Sequence, residues 1–143
     1  VSGYREAIAA AEADYQNGLF KEAHIKYGTA MSASDECEYH CRRMRGICSR
    51  RVGERRLEKA VEHPEEWVVF LNQAAKWLAK SEANLASALE HAPDSERAEI
   101  RIEQARTEEA IARFIEMTGG DPRRRLSAAR SLRHEASELL AHT

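Results

Sequence analysis

Four side chains able to ligate a soft metal, Cys37, His40, Cys41 and Cys48, fall within about three turns of helix. Thiolates and imidazoles are good ligands for zinc. Three of the four share with Met44 the spacing of an apolar helical stripe, and cysteine buries readily as a small hydrophobe. No CxxC pair accompanies them, and no second Cys/His set completes a tetrahedral site. The expectation is buried, reduced thiols with no metal and no other cofactor. A helical bundle that binds a metal or small molecule near Cys37 and Cys41 stands as an alternative.

Arginine is the second unusual feature. Arg42, Arg43, Arg45, Arg50, Arg51, Arg55 and Arg56 crowd one short stretch of a chain whose formal charge is only -2. On a helix, Tyr39, Arg42, Arg43 and Arg50 project with Gly46, away from the cysteine stripe. Guanidinium groups suit planar anions and an exposed tyrosine can stack, so Tyr39, Arg42, Arg43, Arg50, Arg55 and Arg56 are the candidate partner-binding residues. The plainer reading is that these arginines solvate a helix and pair with Glu54, Glu58 or the acidic first helices. Because the whole chain is not basic, an acidic protein is expected ahead of nucleic acid. The chain contains no Ser-His-Asp order, glycine-rich phosphate loop, HExxH or paired Glu-x-x-His pattern, so no enzyme is expected. His24, His63, His91, His134 and His142 are scattered and read as structural.

The elements that must position these residues read as helices. The 143 residues hold only 7 Gly and 3 Pro, with 32% charged and 43% hydrophobic, which favours one compact helical domain. Ser2 is placed to cap a first helix to about residue 16, striped by Tyr4, Ile8, Ala11 and Tyr15. Asn17-Gly18 stops it, and a second helix over about 20–33 carries Ala23, Tyr27 and Ala30. Ser34 then caps a third helix over about 35–52, ended by Gly53, and a short fourth over about 54–63 stops at Pro64. From about residue 65 to 91, Trp67, Leu71, Ala74, Leu78, Ser81, Leu85 and Ala88 alternate four and three apart, one unbroken helix. Pro93 opens a sixth helix to about residue 118, with Ile100, Thr107, Ile111 and Phe114 opposite Ala98, Ile102, Ala105 and Ala112. It should be interior. Gly119-Gly120 closes it, and a seventh concentrates Leu126, Ala129, Leu132, Ala136, Leu139 and Leu140 on one arc, as an outer cap would.

Ala11, Gly18, Phe20, Ala23, Tyr27 and Ala30 lie in the segment AAAEADYQNGLFKEAHIKYGTAM, which resembles a tetratricopeptide repeat. The family's pattern is a small residue in helix A, Gly at the turn, then an aromatic, Ala, aromatic and Ala in helix B. The resemblance covers about a quarter of the chain. It implies an array of antiparallel helical hairpins whose groove, here around Tyr15, Phe20 and Tyr27, receives a partner peptide or helix. One subclass of the family grips chaperone C-termini with a Lys and an Asn flanking the small residue. Ile8 and Glu12 stand there instead, so that function is not carried over.

These readings amount to an all-α, tetratricopeptide-like array of six or seven helices. It is one domain, with hairpins over 1–63, a long-helix three-helix extension over 64–143 and a capping helix. The expected role is a non-catalytic protein-protein interaction or scaffold module. The alternative is an adaptor for an anionic partner or nucleic acid through the arginine cluster between Arg42 and Arg56. With three cysteines, no leader pattern and no apolar run of membrane-spanning length, a cytoplasmic chain without membrane contact is expected.

Overall fold

Two glycines in the left-handed region, Gly18 at φ 76° and Gly119 at φ 84°, turn the chain at the ends of its first and fifth helices. Each is followed by an amide that reaches back to the last turn, Leu19 to the Asp14 carbonyl and Gly120 to that of Ile115, both at 2.8 Å. Between such stops the computed structural model, which describes residues 3–142, builds six helices. They are α1 (Gly3–Gln16), α2 (Phe20–Ala33), α3 (Glu38–Glu62), α4 (Trp67–His91), α5 (Arg97–Met117) and α6 (Arg123–Ala141). Short 3-10 turns precede α3, α4 and α5, and no strand occurs among the described residues. Ser34 caps as expected, its hydroxyl accepting from the Glu36 amide at 3.2 Å. The expected Ser2 cap lies outside the described residues.

The sequence reading of two helices over 35–63 is corrected: α3 runs unbroken through Gly53. Gly53 is a packing residue, not a stop. A Cβ built on it would lie 2.8 Å from the Leu78 side chain of α4, and one on Gly46 would lie 2.6 Å from that of Leu85. Gly46 and Gly53 stand seven residues apart on α3, as Leu78 and Leu85 do on α4. Glycine thus lets two 25-residue helices lie side by side with leucines pressed against bare backbone. The same antiparallel register sets Ala60 opposite Leu71, and both are buried in one cluster with Leu57, Ala74 and Leu78. Since α3 and α4 form the most extensive helix pair, the packing runs straight across the 63/64 boundary drawn from the sequence.

The core has two parts. In the first, Ala11, Phe20, Ala23, Tyr27 and Ala30 of the α1–α2 hairpin pack against Cys37, Cys41, Met44 and Cys48. In the second, α3 and α4 meet α5 through Ala110 and Ile111. At the junction of three helices Ser81 donates to the Gly46 carbonyl at 2.8 Å and lies 2.9 Å from the Thr107 hydroxyl, so these buried hydroxyls are satisfied. The unbroken α4 is as read from its stripe: Leu71, Ala74, Leu78, Ser81, Leu85 and Ala88 are all buried. On α5, Ile100, Thr107 and Ile111 are buried on one side and Ala98, Ala105 and Ala112 on the other, and its neighbours are α3, α4 and α6. It is interior, as its two-sided pattern requires. On α6 the arc is thinner than expected. Ala129 and Ala136 are buried, but Leu126 and Leu140 are exposed.

Candidate functional site: a cationic cleft between α2, α3 and α4

The arginine cluster does not form one solvent-facing surface. Arg50 is 7% exposed, which corrects its placement on an outer face. Its guanidinium donates to Glu103 of α5 at 2.9 Å and to Glu54 at 3.1 Å, a buried pair that ties α3 to α5. Arg43 also turns inward on α5, pairing with Glu99 at 2.9 Å and Glu96 at 3.8 Å. Tyr39 beside it is half-buried, and burial together with Glu96 pushes its hydroxyl pKa up. Arg42 sits 4.0 Å from Glu38 on its own helix. Arg55 donates to the Gly18 carbonyl at 2.9 Å, and the guanidiniums of Arg51 and Arg55 lie 4.6 and 4.7 Å from the Phe20 ring centre. These two arginines clamp the α1–α2 turn onto α3. Of the five candidate arginines, Arg56 alone has neither a carboxylate nor a carbonyl partner among the described residues.

The expected aromatic groove is also corrected. Tyr27 is fully buried and donates to Glu12 at 3.2 Å, Phe20 is buried, and Tyr15 packs edge-on against Phe20 at 5.5 Å. Phe20 and Tyr27 fill the hairpin instead of lining a surface, and Tyr15 is half-buried beside them. The cysteines are buried as expected, with all three thiols free. Burial pushes the Cys41 and Cys48 thiols up to about 12, so they behave as apolar groups and not as ready thiolates. His40 packs edge-on to Tyr27 at 5.8 Å, and no group of three or more His, Cys, Asp or Glu side chains among the described residues is placed to hold a metal.

What the structure does bring together is a cleft of about 590 Å³, walled by Lys21, His24 and Ile25 of α2, Arg45 and Arg56 of α3, and Gln73, Lys76, Trp77 and Lys80 of α4. Its wall contains no carboxylate. None of its five cations has an ion-pair partner among the described residues, whereas the arginines facing α5 are paired. Lys80 sits over the Trp77 ring, its ammonium 4.6 Å from the ring centre, and His24 meets the same ring edge-on at 5.2 Å. The Arg45 guanidinium lies against Gly28 of α2, its Cζ 3.4 Å from where a Cβ would be. His24 is 4% exposed and its Nε2 has no hydrogen-bond partner in the protein. Desolvation first, then the charges of Arg45 and Lys80, lower its pKa to about 4, so the imidazole is neutral at pH 7. Burial likewise lowers the pKa of Arg45, and Arg42 adds to that effect.

A larger cleft of about 900 Å³ lies between α3 and α5, and it differs in kind. Glu54, Glu58 and Glu109 stand among its arginines, and Arg50, Arg51 and Arg133 are each paired there. Three glutamates among six arginines offset part of that wall's charge. The smaller cleft has the stronger claim on an anion because its field is unopposed.

Sequence reasoning named Arg56 but missed Lys21, His24, Arg45, Lys76, Trp77 and Lys80 as members of a site. The signal was present. Residues 23–34, 39–53 and 67–81 contain no Asp or Glu, and these three acid-free stretches belong to the three helices that meet at the cleft. Lys76 and Lys80 are a like-charged i,i+4 pair, which disfavours a helix unless something else uses it. No family of proteins, no curated protein and no solved structure matches the chain significantly.

Proposed function

We propose that the chain is a non-catalytic interaction module that holds an acidic segment of a partner protein in the α2–α3–α4 cleft. The observation that carries this reading is the wall of five unpaired cations without a carboxylate. The half-buried Trp77 and the exposed Ile25 in the same wall supply apolar contact for a peptide side chain beside the charges. On this reading the α1–α2 hairpin is a tetratricopeptide-like unit: Ala11, Ala23 and Ala30 let its helices close up, while Phe20 and Tyr27 fill the space between them. The two 25-residue helices that follow are longer than repeat helices, so the unit serves as one wall of a bundle. A protein partner is favoured over nucleic acid because the net charge is -2 and most arginines outside the cleft are already paired.

The test is a fluorescence-anisotropy titration with a labelled twelve-residue peptide of Asp and Glu containing one Leu. Reversing Arg56 and Lys76 to Glu should weaken binding by about tenfold or more while the melting temperature stays within a few degrees. Binding should also weaken as salt rises from 50 to 300 mM, values on the order of those that shorten the screening length appreciably. Unchanged affinity in the double reversal would place recognition elsewhere. Displacement by a single-stranded RNA at much lower concentration than by unlabelled peptide would make nucleic acid the partner.

A further inference from the structure

The inner end of the cleft makes a stronger demand than an ordinary acidic side chain meets. A carboxylate carries one charge and two acceptor oxygens, and a single guanidinium can satisfy both. Here two guanidiniums and three ammoniums share one wall with a buried imidazole, and none has an ionic partner among the described residues. From this we propose that the His24–Arg45–Lys80 end of the cleft is a site for a phosphate monoester borne on the partner, that is, for a phosphorylated side chain within the acidic segment. The proposal rests on the cleft being the binding surface.

Three features support a phosphate. A phosphate monoester brings close to two charges and three acceptor oxygens, matching donors that three helices supply to one cleft, His24 from α2, Arg45 from α3 and Lys80 from α4, the last two near enough for their charges to act on the imidazole. The donors are also held in place. Arg45 lies against Gly28, Lys80 rests on Trp77, and His24 abuts the same ring, so little side-chain freedom is lost on binding. Finally, His24 Nε2 is a buried polar atom that the protein leaves without a partner, and His24 is one of the residues lining the cleft. Because the imidazole is neutral at pH 7, it contributes one hydrogen bond and not a sixth charge.

The experiment compares two peptides by calorimetry at pH 7.5 on the full chain. One is Asp-Asp-phosphoserine-Asp-Leu-Asp, and its counterpart carries Glu at the central position. The phosphopeptide should bind about tenfold or more tightly than the Glu peptide, and Arg45→Gln should abolish that preference. Lys80→Gln, outside the core, should reduce the same ratio and guards against a folding defect in the Arg45 variant, with both variants checked by thermal melting. Equal affinity of the two peptides in the parent chain overturns the phosphate site but leaves the acidic-segment reading standing. Failure of both peptides to bind overturns both. Inorganic phosphate that binds as tightly as the phosphopeptide would show a free-anion site and overturn the partner-borne one, as would tighter displacement by a short polyuridine RNA.

Discussion

His24 shows how a residue's surroundings decide its chemistry. Lys21 of the same helix, Arg45 and Arg56 of α3, and Lys76 and Lys80 of α4 face the cleft around it, and no acid in the wall offsets them. Its folded pKa is near 4 against an ordinary 6.5, so between those values the unfolded chain holds a proton that the folded chain does not. Stability should therefore fall as pH drops below about 6.5 and level off below about 4, with a slope of up to about 1.4 kcal/mol per pH unit. Urea midpoints at pH 7 and pH 5.5, values on the order of the upper part of that window, give the check. The loss should be smaller in His24→Gln, and equal losses in the two chains would remove His24 as the cause. None of this was legible from the sequence, where His24 was one of several scattered histidines. A lone imidazole gives no sign of the charges that tertiary packing will set around it. The cysteines were the opposite case, because Cys37, Cys41 and Cys48 fall on a periodic stripe and the stripe alone predicts burial.

At the scale of elements, periodicity was a good guide and punctuation a poor one. The bounds of α2 and the continuity of α4 followed from spacing, yet Gly53 was read as a stop within what is one helix. Glycine ends a helix when φ turns positive, as at Gly18, but it also marks a close approach, and only the partner helix tells the two apart. A distinct prediction follows for α3. In an isolated helix Gly→Ala gains about 1 kcal/mol, but here the added methyl meets Leu85 or Leu78. Gly46→Ala and Gly53→Ala should each destabilise the chain by about 1–3 kcal/mol, as overpacked cores do. In chemical denaturation, Gly46→Ala combined with Leu85→Ala should lose less than the two single changes added together. Strict additivity would mean that the two residues are not pressed together. Reading Arg50 as exposed failed for a related reason: its partner Glu103 is 53 positions away, and no local pattern reveals a pair made across helices.

For the whole molecule, stability should be uneven. The α6 helix fully buries only Ala129 and Ala136 and half-buries Leu132 and Leu139, and ion pairs near the surface add to its hold, Arg125 with Glu82 at 2.8 Å, Arg133 with Glu109 at 2.7 Å and Arg101 with Glu135 at 3.1 Å. Hydrogen exchange should be about tenfold or more faster in α6 than in the middle of α3 and α4, and the gap should widen with salt. Uniform protection would show that α6 belongs to the main cooperative unit. The cleft is walled by α2, α3 and α4, and none of its lining residues belongs to α6. Its two longer walls hang from the glycine-leucine register, in which each leucine has one seat. Sliding α4 along α3 has no gradual path, since the next seat is a full heptad, about 10 Å, away. The cleft is therefore a fixed gauge: an incoming segment is measured against a spacing of charges that the protein does not adjust.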